Sequence, residues 1–368
     1  MRDLSGDNEE IEFINENPIE REAHGYDLSA DPDPAGRAGL DPDHLTSASP
    51  DPDHGQSAAV AVKVADEELA DEEVVEESRS KPLTRAQLIS RRFFRSKGAV
   101  FGLVGVAIII LFAIFGSYIS PWEYRQVDNT AFLQPPSADH WFGTNQTGRD
   151  MFAMTIEGLR KSLVIGFSVA AIQTFVAAII GSSAAYFGKF VDKAILWVID
   201  LLLVIPAFLL IAVITQRLGG QQASTIVFIL LLAAFGWMLT ARVVRAMTLS
   251  VINLDYVRAA KYMSVPSSAI IRRHILPNVS SYLIIDFTLG VVSAVMMETF
   301  LSYFGFGVQP PETSLGVLLA DGQRMATTSP WTFLAPATVL VVMLICVNFV
   351  GDGLRDAIDP SSKSGGKL

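Results

Sequence analysis

Long apolar runs recur through the chain after residue 97. Residues 98–122, 162–188, 218–241 and 331–350 contain no charged residue, and residues 194–216 and 279–297 contain one each, Asp200 and Asp286. A helix that crosses a membrane needs about 20 mostly apolar residues, which each run supplies or nearly supplies. The pattern therefore predicts an all-α integral membrane protein with six transmembrane helices.

Residues 1–80 have a different pattern, with few large apolar residues and a strong negative charge. They hold 23 of the 38 acidic residues and five of the 28 basic ones, and the unit Asp-Pro-Asp recurs at 31, 41 and 51. Such a segment cannot bury a core, which predicts a disordered acidic extension. A metal site on Asp41, Asp43 and His44 with their counterparts at 51–54 is the less favoured alternative. No secretory signal is expected, because the first 25 residues lack an apolar run.

Basic residues indicate the orientation of the six predicted helices. With the N-terminus in the cytoplasm, 17 of the 23 Lys and Arg residues after residue 80 fall on the cytoplasmic side and six outside. Both termini are therefore expected in the cytoplasm. The chain then divides into an acidic tail (1–80), a first helix with an extracytoplasmic segment (81–160), a core (161–354) with a cytoplasmic loop at 242–276, and a C-terminal tail (355–368).

Residues 255–278 form a basic stretch on the predicted cytoplasmic side. Residues 256–263 contain neither Pro nor Gly, but so short a helix is not stable alone in water and needs a surface on which to dock. Pro266 ends it, and 267–274 can form a second helix leading to Leu276-Pro277. This pattern predicts a short helical hairpin, and a loop resting on lipid head groups is the alternative.

The hairpin resembles the EAA loop of ATP-binding cassette importer permeases. Arg258-Ala259-Ala260, Ser264 and His274-Ile275-Leu276-Pro277-Asn278 correspond to Glu-Ala-Ala, a Gly and Ile-x-Leu-Pro of that loop. Within the family, the C-type subunit of dipeptide and oligopeptide (peptide/nickel) importers is the most similar. Further matching stretches are 91–105, 140–150, 305–311 and 351–360, so the resemblance covers about residues 85–360. Ser264 in place of Gly puts the left-handed helix cap in doubt, and the turn is expected to depend on Pro266.

The resemblance implies a bacterial inner-membrane protein with several partners. These are a homologous second permease, two ATPase subunits that carry ATP and Mg, and an extracytoplasmic peptide-binding protein, with no nucleic acid. It also implies that the first helix of the hairpin docks on an ATPase through Asp255, Tyr256, Arg258, Ala259, Ala260, Lys261, Tyr262, Met263 and Ser264. His274, Leu276 and Pro277 would transmit force into the fifth transmembrane helix.

Three carboxylates and one proline in or beside the apolar runs are candidates for the substrate path or gate. A charge within the membrane is costly, so Asp200 and Asp286 are expected to face protein or water, with structural pairing favoured for Asp200. Asp286 is a candidate contact for the amino end of a peptide. Glu298 is expected in a gate or interface, and Pro206 is expected to bend or break the third helix.

The chain itself is expected to be non-catalytic and to bind no cofactor or metal. Gly188-Lys189 lacks the Gly and the Ser or Thr that complete a phosphate-binding loop, and the single Cys346 lies in an apolar run and is expected to pack there. Two other functions stay open. One is import of nickel or another small solute, and the other is an ion-coupled carrier or channel without an ATPase, using Asp200, Asp286 and Glu298 as a relay.

Overall fold

A computed structural model describes residues 85–217 and 225–358, and within these ranges the regular structure is helical. The predictions for the acidic tail, for the metal alternative at 41–44 and 51–54, and for the last ten residues lie outside the described residues. The α-helices are α1 (Arg85–Arg95), α2 (Lys97–Ile119), α3 (Met151–Phe187), α4 (Lys189–Val204), α5 (Ala207–Arg217), α6 (Thr225–Gly236), α7 (Met238–Ile252), α8 (Asp255–Tyr262), α9 (Ser267–Ile270), α10 (Leu276–Tyr303), α11 (Leu315–Gln323) and α12 (Trp331–Ile358). A π-helical turn, Ile271–Ile275, joins α9 to α10.

Four continuous helical stretches in the described chain are long and apolar enough to cross a membrane. They are α2, α3, the stretch Ser267–Tyr303 that ends with α10, and α12. Two bent pairs, α4 with α5 and α6 with α7, bring the number to six if each pair is one crossing. The multi-pass, all-helical character expected from the apolar runs is therefore confirmed, with between four and six candidate crossings.

The third and fourth apolar runs differ from simple helices because each is interrupted. The first pair bends by 76° at Ile205-Pro206, where proline lacks the N–H that would continue the helix. The second pair bends by 47° at Trp237. The expectation that Pro206 bends or breaks the third helix is confirmed.

The second apolar run extends farther than its uncharged part suggested. Helix α3 has 37 residues and begins at Met151, eleven residues before Ser162. The carboxylate of Asp150 caps this end by accepting a hydrogen bond of 2.7 Å from the backbone N–H of Ala153. A helix of this length is roughly 55 Å long, well beyond the roughly 30 Å apolar core of a bilayer.

Close helix contacts in the core depend on small residues. A Cβ added at Gly105 of α2 would come within 2.3 Å of the sulfur of Cys346 in α12, and one at Gly102 within 2.7 Å of the carbonyl oxygen of Cys346. Small residues let helix backbones approach closely in a membrane. Cys346 is 3% exposed and packs in the main core cluster, as its apolar surroundings predicted.

The connections between long helices gather at two ends of the bundle. At one end, the indole N–H of Trp331 donates to the carbonyl of Thr144 at 3.2 Å, and Glu312 accepts a hydrogen bond from Thr225 at 2.5 Å. This end thus combines residues 120–150, the start of α6 and the segment between α10 and α12. A separate group of contacts packs Phe93 of α1 against Ala357 at the C-terminal end of α12.

Candidate functional site

Residues 255–275 fold as a helical hairpin whose inner side is a small apolar core. Val257 and Ala260 of α8 and Ile270 and Ile275 beyond the turn are all buried, each 3% exposed or less. Partly buried residues of two neighbouring elements complete this core: Tyr186, Val251 and Ile252. The hairpin is therefore packed against the ends of α3 and α7.

The outer side of the hairpin faces solvent. Tyr262 is 88% exposed and Met263 is 72% exposed, and both are large side chains that water does not favour on a surface. The remaining exposed residues of this surface are Asp255, Tyr256, Arg258, Ala259, Lys261 and Ser264. We call the surface formed by the exposed side chains among residues 255–264 the outer face.

The two adjacent alanines therefore have different environments. Ala259 lies on the outer face, where its side chain is exposed. Ala260 points into the hairpin's own core and is 3% exposed. The structure thus explains the small side chain at 260 by packing within the chain, whereas the sequence grouped both alanines as docking positions.

The turn after α8 keeps the left-handed cap that the serine had put in doubt. Ser264 has φ +56°, in the region where glycine is usual. The N–H of Ser264 bonds to the carbonyl of Lys261 at 3.1 Å, and the N–H of Val265 bonds to that of Ala260 at 3.1 Å. This pair of bonds is a Schellman motif, with Val265 in the apolar contact that accompanies it. The doubt about the left-handed cap is therefore wrong, since the cap forms with Ser264, and the dependence of the turn on Pro266 stays a prediction.

A π-helical turn carries the chain from the hairpin into α10. The N–H of Leu276 reaches back five residues to the carbonyl of Ile271. Pro277 follows in the first turn of α10, where its lack of an N–H is tolerated. The wider π turn accommodates the proline without ending the helix, so the second arm of the hairpin and α10 form one continuous helical stretch, Ser267–Tyr303.

Side-chain contacts tie the two arms of the hairpin to each other and to α3. The amide of Asn278 donates to the hydroxyl of Tyr256 at 2.9 Å and to the carbonyl of His274 at 2.5 Å. The ring of Tyr256 lies 6.0 Å from that of His274. The Lys261 ammonium lies 5.9 Å from the ring centre of Tyr186, within the range of a cation–π contact.

A cavity of about 330 Å³ lies between the helices and is lined by several polar side chains, Asp286 among them. Asp286 accepts hydrogen bonds from Thr240 at 2.9 Å, Thr174 at 3.4 Å and Tyr282 at 3.4 Å. Gln173 and Ser293 also line the cavity. We call this space the Asp286 cavity, and its carboxylate is the group in it that can hold a cation.

Asp200 does not line the Asp286 cavity. It pairs with Arg242 of α7, and eight residues earlier Asp192 pairs with Arg245 of the same helix. Asp200 therefore forms the ion pair within the protein that the sequence analysis favoured. The two ion pairs fasten α4 to α7, ahead of the break at Pro206. Beyond that break, the ring of Phe208 packs at 4.8 Å from that of Phe300 in α10.

Glu298 is fully buried and lies apart from the Asp286 cavity. It accepts hydrogen bonds from Ser302 at 2.8 Å and from Ser162 of α3 at 3.0 Å. Ser162 in turn accepts from the backbone N–H of Leu315, the first residue of α11, at 3.2 Å. Glu298 thus joins three helices, and among the described contacts it has none with Asp200 or Asp286.

Sequence reasoning missed the partners of these residues. The sequence marks Asn278 only as part of a motif and gives no sign of Tyr186, Thr240 or Ser162. Each partner is a polar residue on a helix far away in the chain, so no local pattern connects it with its contact. The acidic residues inside apolar runs were the available signal, because a carboxylate there requires donors nearby.

Two family models match the chain. The model of the binding-protein-dependent transport system inner membrane component covers residues 177–364, and that of the N-terminal transmembrane domain of oligopeptide transport permease C covers residues 84–136. The first match includes the hairpin and the helices of the Asp286 cavity from α4 onward. Both matches begin after the acidic tail.

Curated relatives align over most of their length. The oligopeptide transport system permease protein OppC of Mycobacterium tuberculosis H37Rv is 48% identical over 281 residues, 76% of this chain and 96% of that protein. OppC of Bacillus subtilis 168 is 35% identical over 73% of this chain and 87% of its own. The dipeptide transport system permease protein DppC of B. subtilis 168 is 36% identical over 73% and 84%. This chain therefore belongs to the family of binding-protein-dependent transport system inner membrane components.

Proposed function

We propose that this chain is the transmembrane permease subunit of an ATP-driven importer of di- and oligopeptides. The observation that carries the proposal is the hairpin, whose inner side is packed on the chain's own helices while its outer face exposes Tyr262 and Met263. A packed, continuous connection to α10 is what a mechanical coupling element needs. The names of the relatives, oligopeptide and dipeptide permeases, support peptide as the cargo.

The proposed topology has six crossings and both termini in the cytoplasm, with α4–α5 and α6–α7 as single bent crossings. This topology is supported by the contacts at one end of the bundle among residues 120–150, the start of α6 and the segment after α10. These three segments follow the first, third and fifth crossings. The contact of Lys261 with Tyr186 supports it too, since it joins the connections after the second and fourth crossings. The hairpin then lies at the cytoplasmic end.

The proposed complex contains a homologous second permease, two ATPase subunits with ATP and Mg, and an extracytoplasmic binding protein. The outer face of the hairpin seats in an ATPase subunit, with Arg258 and Lys261 as polar contacts and Ala259 as the close approach. When ATP closes the ATPase pair, α8 moves as a rigid element, and the Tyr256–Asn278 bond and the π turn pass this motion into α10.

The Asp286 cavity is the proposed part of the translocation path in this subunit. Its carboxylate is positioned to accept the charged amino end of a peptide, and the hydroxyls of Thr174 and Thr240 hold its orientation. Glu298 serves as the interface element that keeps α3, α10 and α11 in register. A peptide would thus meet Asp286 and not Glu298.

Reconstitution tests this proposal. The complete complex in lipid vesicles, with binding protein outside and ATP inside, is expected to take up labelled dipeptides or longer peptides only when ATP is present. Uptake of nickel in preference to peptide would favour the alternative function, import of nickel or another small solute. Uptake driven by an ion gradient without ATP, or purification without any ATPase subunit, would refute the coupling role of the hairpin.

A further inference from the structure

Gln173 of α3 lines the Asp286 cavity next to Thr174, which donates to Asp286. The amide nitrogen of Gln173 donates to the carbonyl oxygen of Leu232 in α6 at 3.0 Å. A Cβ at Gly236, the last residue of α6, would collide with the Gln173 carboxamide, so the glycine leaves the space that this side chain occupies. The carboxamide is therefore held against α6, and both of its contacts there line the same cavity.

The bond with Leu232 determines which atom of the Gln173 carboxamide is free. A backbone carbonyl can only accept a hydrogen bond, so the NH₂ group of Gln173 must face it. The side-chain oxygen accepts no hydrogen bond from the described residues, and this atom is not enclosed by them. Because Gln173 and its α6 contacts line the Asp286 cavity, this oxygen is an acceptor available there.

The hydroxyl groups of the cavity also present acceptors. Thr174 and Thr240 donate their hydroxyl hydrogens to Asp286. Ser293 donates its hydroxyl hydrogen to the carbonyl of Leu289 at 3.2 Å. A hydroxyl whose hydrogen is already used offers only its lone pairs to a ligand, and the carboxylate of Asp286 likewise only accepts. The cavity therefore favours a ligand that is rich in hydrogen-bond donors.

The amino end of a peptide has this arrangement of donors. Its ammonium group carries three N–H donors, and the nitrogen of the first peptide bond follows about 3 Å away. The carboxyl end of a peptide carries acceptors and a negative charge, which the Asp286 carboxylate would repel. The amino end is therefore the part of a peptide that suits the lining.

We propose that the side-chain oxygen of Gln173 accepts the first peptide N–H of a cargo whose ammonium group binds Asp286. Gln173 and Thr174 are consecutive on α3, and Thr174 contacts Asp286, so the two acceptors flank one site. This contact is made to the main chain and does not depend on the cargo's side chains, except that a proline in the second position lacks the N–H. The inference rests on the proposed function, which supplies the peptide.

The test is peptide uptake by the complete complex in lipid vesicles, with ATP inside and binding protein outside. Two cargoes are compared, an alanine tripeptide and an analogue in which an ester oxygen replaces the first peptide N–H. The same binding protein delivers both, so its own preference cancels when a variant is compared with the wild type. Gln173→Met is expected to reduce the ratio of amide to ester uptake by roughly fivefold, as for one lost hydrogen bond.

Two further variants separate recognition of the cargo from packing against α6. Gln173→Glu keeps an oxygen at the same distance from the backbone, so it should keep the ratio. Gln309→Met is the matched control, because the Gln309 amide also donates to a backbone carbonyl, that of Gly305 at 2.9 Å. Gln309 lines none of the described cavities, and its replacement should leave the ratio unchanged.

The outcomes separate this inference from the proposed function. An equal loss of uptake of both cargoes in Gln173→Met would assign Gln173 to packing alone and overturn the inference, as would an unchanged ratio. A ratio that also falls in Gln173→Glu would overturn it, since the acceptor is still present. Should Gln173→Met not assemble, Gln173→Asn decides, because it withdraws the oxygen by one methylene and should lower the ratio. If the wild-type complex takes up neither cargo with ATP and binding protein, the proposed function itself fails.

Discussion

The side-chain amide of Asn278, in the first turn of α10, donates a hydrogen bond of 2.9 Å to the hydroxyl of Tyr256, in the first turn of α8. Twenty-two residues separate them in the chain, and between them lie the Schellman turn and the π-helical turn. The bond closes the hairpin at its base. A side-chain contact therefore links α8 to α10 in addition to the backbone.

Removing the hydroxyl of Tyr256 is expected to loosen this connection. Tyr256→Phe should lower peptide uptake per ATP hydrolysed by a factor of a few, because a typical hydrogen bond contributes about 1 kcal/mol. Uptake and ATP hydrolysis measured together in vesicles give this ratio. Tyr118→Phe is the matched control, since Tyr118 lies 86% exposed on α2. An unchanged ratio in Tyr256→Phe would contradict the coupling role of the bond.

Restoring glycine at the hairpin turn is expected to stabilise it. Ser264→Gly should increase the local stability by on the order of 1 kcal/mol, because a residue with a Cβ pays a penalty at φ +56°. Hydrogen exchange of the amides of Ser264 and Val265 measures the effect. Ser268→Gly, on a helical residue, should change stability in the opposite direction. Faster exchange in Ser264→Gly would show that the left-handed cap is not formed.

The two alanines of α8 are expected to respond differently to the same substitution. Ala260→Glu should disrupt the hairpin core, because an unpaired carboxylate buried there costs on the order of several kcal/mol. Ala259→Glu should leave the hairpin folded and abolish ATPase docking, since it places bulk and charge on the outer face. Hydrogen exchange of the hairpin reports the first effect, and copurification of the ATPase reports the second. Normal docking in Ala259→Glu would contradict the proposed outer-face contact.

Neutralising Asp286 is expected to change the preference for the amino end of the cargo. Asp286→Asn should reduce uptake of peptides with a free amino terminus by roughly tenfold, as expected for a lost charge-assisted bond, and leave N-acetylated peptides little affected. Competition between labelled peptides of both kinds measures this ratio. Asp200→Asn is the control, because Asp200 pairs with Arg242 and lies outside the cavity lining. An equal loss for both kinds of peptide would contradict recognition of the amino end.

The sequence predicted the membrane class and the hairpin because both depend on local pattern. Apolar runs set the helices, and Pro266 with the alanine pair marked the turn. The break at Pro206 was predictable for the same reason, whereas the bend at Trp237 was not, since no proline or paired glycine marks it. The apolar run does not predict the extension of α3 to Met151, because Glu157 and Arg160 interrupt the apolar pattern although charged residues do not end a helix.

The candidate sites were less predictable because they are built from distant residues. Asp286 stood out as a carboxylate in an apolar run, but its donors Thr174 and Thr240 lie on other helices. The inward direction of Ala260 follows from the packing of Ile270 and Ile275, which only the folded hairpin brings together.

The crossing made of α4 and α5 is held by two unlike kinds of contact. Its first half is clamped to α7 by the carboxylates of Asp192 and Asp200, while its second half meets α10 through the rings of Phe208 and Phe300. Pro206 between them has no amide hydrogen, so residue 206 donates no backbone hydrogen bond back to α4 that a change of angle would break. The two halves consequently rest on different neighbours, so a tilt of α10 relative to α7 would be taken up at the break between them.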